Sequence, residues 1–218
     1  MRSASSKLRL LAPLLGMVLL ACPGWPMVAA ELAAPGGKGF PSGPSHDGVE
    51  VMADLPAEFR IRNTVGTDGA GLCVWASTNM MAFDLNVPEM FGIFKELQGE
   101  PGGGWPERVD EKMKLHCPGV KYRQYAGADL GFIRDGIDSG RPVCATYGYG
   151  ELYGNRTIAH MILVVGMTDE WTSVLDNNDP DHIWWMPTGE FARRFSWPNG
   201  QGWAWYILAP PPPPVPHN

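Results

Sequence analysis

The stretch Gly69-Ala70-Gly71-Leu72-Cys73-Val74-Trp75-Ala76-Ser77 runs a glycine-rich turn straight into an apolar segment, with a cysteine at the junction. Small residues at 69–71 let the backbone bend sharply and leave a thiol room to be reached. From Leu72 onward, Val74, Thr78, Met81 and Leu85 fall at helical spacing, and Trp75 and Phe83 widen the same face. That pattern predicts a well-buried helix from Cys73 to about Asn86. Cys73 then occupies the first turn, where unpaired N–H groups and the positive end of the helix dipole favour a thiolate. Two readings of this residue stay open on the stretch alone. It is a nucleophile, or it is a buried structural cysteine, since free cysteines are among the most buried residue types.

Further along, the chain divides into two kinds of pattern. Pro88 to about Leu97, Trp105 to Leu115 and Ala128 to Ser139 read as three more helices, with Pro88 at a first-turn position and Gly140 as a stop. Pro142–Tyr147, His160–Val165, Thr172–Leu175, Ile183–Trp185 and Trp203–Leu208 are rich in the β-branched and aromatic residues that strands prefer. Helices followed by strands predict an α+β fold. An N-terminal helical half packs against a C-terminal antiparallel sheet, with a cleft between them.

A cysteine nucleophile needs a base to take its proton and an orienter to hold that base. His160 opens a strand 87 residues after Cys73, and Asp176-Asn177-Asn178 ends the next strand, sixteen residues beyond His160. In an antiparallel hairpin the start of one strand lies beside the end of the next, so a side chain there can fix the imidazole tautomer. Taken singly, His160 also reads as a core histidine, and Asp176 to Asp181 as a polar turn. The order and spacing of all three are what point to chemistry.

The two ends carry a different message. Arg2, Lys7 and Arg9 precede an apolar run from Leu10 to Ala21, and Val28-Ala29-Ala30 offers small residues for cleavage. Residues 1–30 therefore read as a secretory signal, too short for a stable membrane span. Leu19-Leu20-Ala21-Cys22 also resembles a bacterial lipobox, which would acylate Cys22 and anchor the chain. The expected location is secreted, periplasmic or cell-surface. Residues 31–50, dense in Gly, Pro, Ala and Ser, predict a flexible leader, and 210–218 a solvated proline-rich tail, leaving one domain over 51–209.

The 218-residue chain carries a formal charge of −6, and the signal removes three basic residues and no acidic ones. Such an acidic surface argues against nucleic acid as a partner. Beyond Cys22 the cysteines are Cys73, Cys117 and Cys144. In an oxidising compartment Cys117 and Cys144 are the natural pair, which leaves Cys73 as the odd thiol. The alternative is that all three are buried and reduced. The spacing suits no zinc site, and neither a metal nor another cofactor is expected.

These blocks together resemble the papain-like cysteine peptidases, and especially the bacterial branch that includes the double-glycine leader peptidases. The resemblance rests on Gly71-Leu-Cys73-Val-Trp75-Ala-Ser77, Gly140-Arg-Pro-Val143, Ala159-His160-Met-Ile-Leu-Val-Val-Gly166, Val174-Leu-Asp176-Asn-Asn178, Phe191 and the Trp197 region. It spans roughly residues 58–209. It implies Cys73 as nucleophile, His160 as general base and Asp176 as orienter, with Asn178 as a substitute. The family usually has an oxyanion-binding glutamine about six residues before the cysteine. Here Thr67 stands there beside Asp68, and the nearest upstream amide is Asn63, so Asn63 and Thr67 are the oxyanion candidates. The implied activity is hydrolysis of a peptide or amide bond in a peptide or protein substrate. Acyl transfer of the transglutaminase kind uses the same parts. A surface protein that binds peptides with little or no turnover is the reading from another class.

Overall fold

The computed structural model describes residues 39–210. The signal and lipobox readings over 1–30, the leader from 31 to 38 and the tail from 211 to 218 lie outside the described residues. In chain order the elements are β1 (Phe40–Ser42), β2 (Ser45–His46), β3 (Val49–Glu50), α1 (Cys73–Asp84), α2 (Ile93–Leu97), α3 (Pro106–His116), β4 (Tyr122–Gly127), α4 (Gly131–Asp138), β5 (Val143–Tyr147), β6 (His160–Met167), β7 (Trp171–Leu175), β8 (Ile183–Pro187), α5 (Thr188–Ser196) and β9 (Gly202–Ile207). Short 3₁₀ turns occupy Ala57–Phe59, Pro88–Met90 and Glu151–Tyr153.

Seven strands form one antiparallel sheet in the order β1-β8-β7-β6-β5-β9-β4. The fold is α+β, as the pattern predicts. The clean division into helical and β halves does not hold, because β4 lies between two helices and α5 between two strands. Nor does the sheet meet the helices on one side only. On β5, Cys144 meets Thr78 of α1, while its neighbour Val143 meets Gly136 of α4. Successive strand residues point to opposite faces, so the centre of the sheet is covered on both. This explains why β6 is buried at all eight positions and reads as an unbroken apolar run rather than an alternating one.

Helix α1 is buried from Cys73 to Ala82 on every side. Asn86 ends it in the left-handed conformation (φ 50°), one of the few residue types that accepts that geometry readily. The helix expected over 88–97 is broken into a 3₁₀ turn and α2, with Gly92 capping α2 and the N–H of Phe94 donating to Asn79 Oδ1 of α1 (3.1 Å).

The flexible leader expected over 31–50 is corrected from residue 40 onward. Phe40–Ser42 add an edge strand to β8, and the Trp185 indole N–H donates to the Gly43 carbonyl (3.0 Å). His46 inserts its ring between Phe40 and Trp171 (centroids 4.6 and 4.3 Å). Composition signalled flexibility, but three aromatic rings bury enough surface to hold the segment down. Pro41 is tolerated because β1 is an edge.

The expected Cys117–Cys144 pair is also corrected: Cys73, Cys117 and Cys144 are all free and buried. Cys117 follows α3, with its thiol donating to the Glu89 carbonyl (3.5 Å), whereas Cys144 lies beneath α1 against Thr78. No helix among the described residues is long and apolar enough to cross a membrane.

Candidate active site

Three elements converge on Cys73. Its turn is shaped by a backbone crossing: Gly103 N–H donates to the Gly71 carbonyl (2.6 Å), Thr67 N–H to the Glu100 carbonyl (3.1 Å) and Leu72 N–H to the Thr64 carbonyl (2.8 Å). Asp68 fastens the crossing by accepting the N–H groups of Ala70 (3.0 Å) and Gly102 (2.8 Å). Those two bonds, the stronger from Gly102, hold its carboxyl below the ordinary range. The strands of backbone approach so closely that a Cβ on Gly66 would overlap the Gly102 backbone, and one on Gly102 would overlap Ala70. Gly102→Ala is therefore expected to push the 101–104 strip off the turn. We expect a loss of about 1–3 kcal/mol in a thermal or urea melt, with slower alkylation of Cys73.

Helix α1 begins with no side-chain cap, and the Val74 N–H in its first turn acts on the sulfur. The start of the helix is stapled to the sheet by Asn177. Its amide Nδ2 lies 2.7 Å from the Met161 carbonyl, 2.9 Å from Ser77 Oγ and 3.1 Å from the Cys73 carbonyl. This one side chain ties the end of β7 to the start of β6 and to the first turn of α1.

Strand pairing delivers the other two groups. Leu163 of β6 faces Leu175 of β7. Carried on by one residue, that register sets Asp176 diagonal to His160 on one face, a spacing within side-chain reach. His160 Nε2–H donates to Asp176 Oδ1 at 2.9 Å. The His160 ring and the Cys73 thiol also interact, through a side-chain hydrogen bond and through charge.

The electrostatics follow from burial and pairing. Burial pushes the Cys73 thiol up, but the hydrogen bond and charge of His160, with the N–H groups of Met161 and Val74, outweigh it and bring the thiol below its ordinary value. Burial pulls His160 down, while the charge and hydrogen bond of Asp176, and then Cys73, raise it to about 10. For Asp176 burial acts upward, and His160, the Tyr153 hydroxyl and the Asn178 N–H together hold the carboxyl below its ordinary value. The three groups favour a thiolate beside an imidazolium beside a carboxylate. Cys144, deep in the same contact between helix and sheet, is pushed far the other way by burial and stays a thiol.

The structure brings Cys73, His160 and Asp176 together, and it separates the alternatives left open by the sequence. Asp176, not Asn178, contacts the imidazole. Asn178 instead donates to the Tyr153 hydroxyl (3.0 Å) and accepts from Asn63 Nδ2 (3.1 Å). Thr67 is exposed in the turn and is not brought to the cysteine. The Asn63 side chain lies over Gly71, so near that a Cβ there would come within 2.9 Å of its Nδ2. Sequence reasoning missed Asn177, Tyr153 and the buried Arg194 cluster beyond it. Only Arg194 had a local signal: Glu190 and Phe191, each followed four residues later by Arg194 and Phe195, mark a helix with an ion pair on it.

No family model matches this chain, and no curated protein matches it. Eight chains of solved structures do. One is a candidate C39-like peptidase from Bacillus anthracis, 14% identical, with a TM-score of 0.47 over 71% of this chain and 96% of that one. A cysteine-bearing helix lies on an antiparallel sheet whose adjoining strands carry the histidine and the carboxylate. Among the described residues no cluster of three or more His, Cys, Asp or Glu is suited to a metal.

Proposed function

We propose that this chain is an exported thiol hydrolase that cleaves peptide or amide bonds, with Cys73 as nucleophile, His160 as general acid and base, and Asp176 as orienter. The observation that carries the reading is the continuous contact from the Cys73 thiol to the His160 ring to the Asp176 carboxylate. Cys73 sulfur attacks the carbonyl carbon, and the imidazolium gives its proton to the leaving amine. Water, deprotonated by the now neutral imidazole, then releases the acyl group and restores the thiol. The developing oxyanion meets the backbone N–H at the start of α1. Asn63 Nδ2 supplies a second donor, since its bond to Asn178 uses one of its two hydrogens.

Export is part of the proposal and rests on the first 30 residues of the sequence; a lipid anchor at Cys22 is the variant form. The substrate is a peptide or protein. Transfer of the acyl group to an added amine would mark acyl transfer instead, and is read directly from the products.

The test is alkylation of Cys73 with iodoacetamide alongside peptide cleavage. Labelling at neutral pH is expected to outrun that of a free thiol in solution by more than tenfold, and His160→Ala is expected to abolish the advantage. Labelling at the free-thiol rate would favour a binding protein. The pH profile has a definite sign. Labelling rises along a limb below the ordinary thiol value of 9.0, and cleavage falls as His160 loses its proton near 10.

Stability shares the same window. Because the folded His160 pKa is raised, its contribution is fully present below 6.5 and is lost as the pH rises through about 10. The Asp176 pKa is depressed, so its contribution is present above 3.8 and is lost as the pH falls through the folded value. A plateau in the melting temperature between these limits, falling on both sides, checks the assignment.

A further inference from the structure

We infer that Tyr153 is a positioning residue of this site, which fixes the Asp176 carboxylate through both of its oxygens and links it to the oxyanion side. The inference rests on the proposed hydrolase reading for its purpose, but its geometry stands by itself. Asp176 has two carboxylate oxygens. His160 and the Asn178 N–H both use Oδ1 (2.9 Å each). The Tyr153 hydroxyl reaches both, at 2.9 Å to Oδ1 and 2.7 Å to Oδ2, and is the Oδ2 partner that keeps a buried anion satisfied.

The phenol stays protonated, and therefore a donor, because burial first and the Asp176 charge next push its pKa far above the ordinary value. Its ring also meets the His160 ring edge-on, with centroids 5.5 Å apart, and limits how the imidazole can tilt.

Tyr153 passes the constraint on in two directions. Asn178 donates to its hydroxyl and accepts from Asn63, so a chain of side chains runs Asn63, Asn178, Tyr153, Asp176, His160, Cys73 and returns to the turn it left. In the other direction the turn that carries Tyr153 is held from beneath. Glu151 accepts from Arg194 (2.7 Å) and from the Gly39 N–H (2.6 Å).

Tyr153→Phe removes the hydroxyl and keeps the ring. Iodoacetamide labelling of Cys73 is measured against pH, with a melt on the same sample. The expected result is labelling at neutral pH slower by about 10- to 100-fold, the scale of one lost hydrogen bond to a charged group. Its acid limb should move to higher pH as Asp176 becomes easier to protonate, with the fold retained. If Tyr153→Phe labels at the wild-type rate with an unmoved limb, or slows only in proportion to an unfolded fraction, the residue merely packs and the inference fails. Should that variant not fold, Asn178→Ala is expected to give the same shift at smaller amplitude, and an unmoved profile there overturns the inference equally. Peptide cleavage by the wild type is scored separately. A chain that labels in a His160-dependent way but cleaves nothing refutes the hydrolase and leaves the Tyr153 result standing.

Discussion

Cys73→Ala is expected to reduce peptide cleavage by about 10⁴- to 10⁶-fold, the range found when a nucleophile is removed from a coupled set of catalytic groups. The substitution deletes one sulfur from a site that is already held by backbone crossings and by Asn177, so the melting temperature should change little. His160→Ala should lose as much activity for a second reason. It strips the thiolate of its counter-ion and the buried Asp176 of its partner, so it should also lower stability. The contrast is the useful part of the experiment. Equal losses of activity with unequal losses of stability separate the attacking group from the group that bridges two charges. Cleavage that survives Cys73→Ala would end the thiol-hydrolase account.

The largest effect on stability is expected at Arg194. Its guanidinium is fully buried, donating through Nε to Glu190 Oε1 (2.9 Å), through Nη2 to Glu151 (2.7 Å) and through Nη1 to the Tyr147 hydroxyl. It lies against the rings of Tyr147 and Tyr149, at 5.5 and 5.3 Å. Burial opposes its charge, but the three partners outweigh that and hold it protonated.

Arg194→Met leaves Glu190 buried, with the exposed Arg193 as its remaining ion-pair partner among the described residues. Breaking such a pair from one side costs about 3–5 kcal/mol. For a domain of this size that lowers the melting temperature by roughly 10 °C. The double substitution Arg194→Met, Glu190→Gln should recover part of the loss, because the buried Glu190 charge is removed while Glu151 still lacks its cation. Activity should fall with Arg194→Met even well below the melt, since Glu151 sits in the turn that presents Tyr153 to Asp176. A melt unchanged within a degree would show that the cluster adds nothing to the fold.

How much was legible from the sequence depended on the range of the interaction. Helix α1 and strands β5, β6 and β7 announced themselves because each buries a long local pattern. Strand β4 and helix α5 did not. Tyr122–Gly127 mixes polar and aromatic residues at a sheet edge, and Thr188–Ser196 is a nine-residue helix whose signal is two aromatics and one glutamate paired with two arginines. The Gly- and Pro-rich composition around Phe40 hid an edge strand, since the rings that hold it are 125 to 145 residues away in the chain.

At the site, the spacing of His160 and Asp176 was readable because a hairpin of two adjoining strands is nearly a local structure. The choice between Asn63 and Thr67 was not. It turns on the Val65–Gly71 bridge, which sets Asn63 back against the cysteine turn and leaves Thr67 at the exposed tip.

By itself, then, the sequence determined an α+β chain with a cysteine in the first turn of a buried helix and a histidine and a carboxylate on neighbouring strands. Those features are written in periodicity and in short separations, which depend on each residue's own neighbours. The tertiary structure decided which carboxylate or amide meets the imidazole, which amide lies beside the thiol, that Tyr153 braces Asp176, and that all three described cysteines stay free. Each of those depends on the register and packing of segments that are usually far apart, such as Asn63 and Asn178 at 115 residues. No local pattern encodes such a contact. It exists only once the sheet has fixed which side chains share a face.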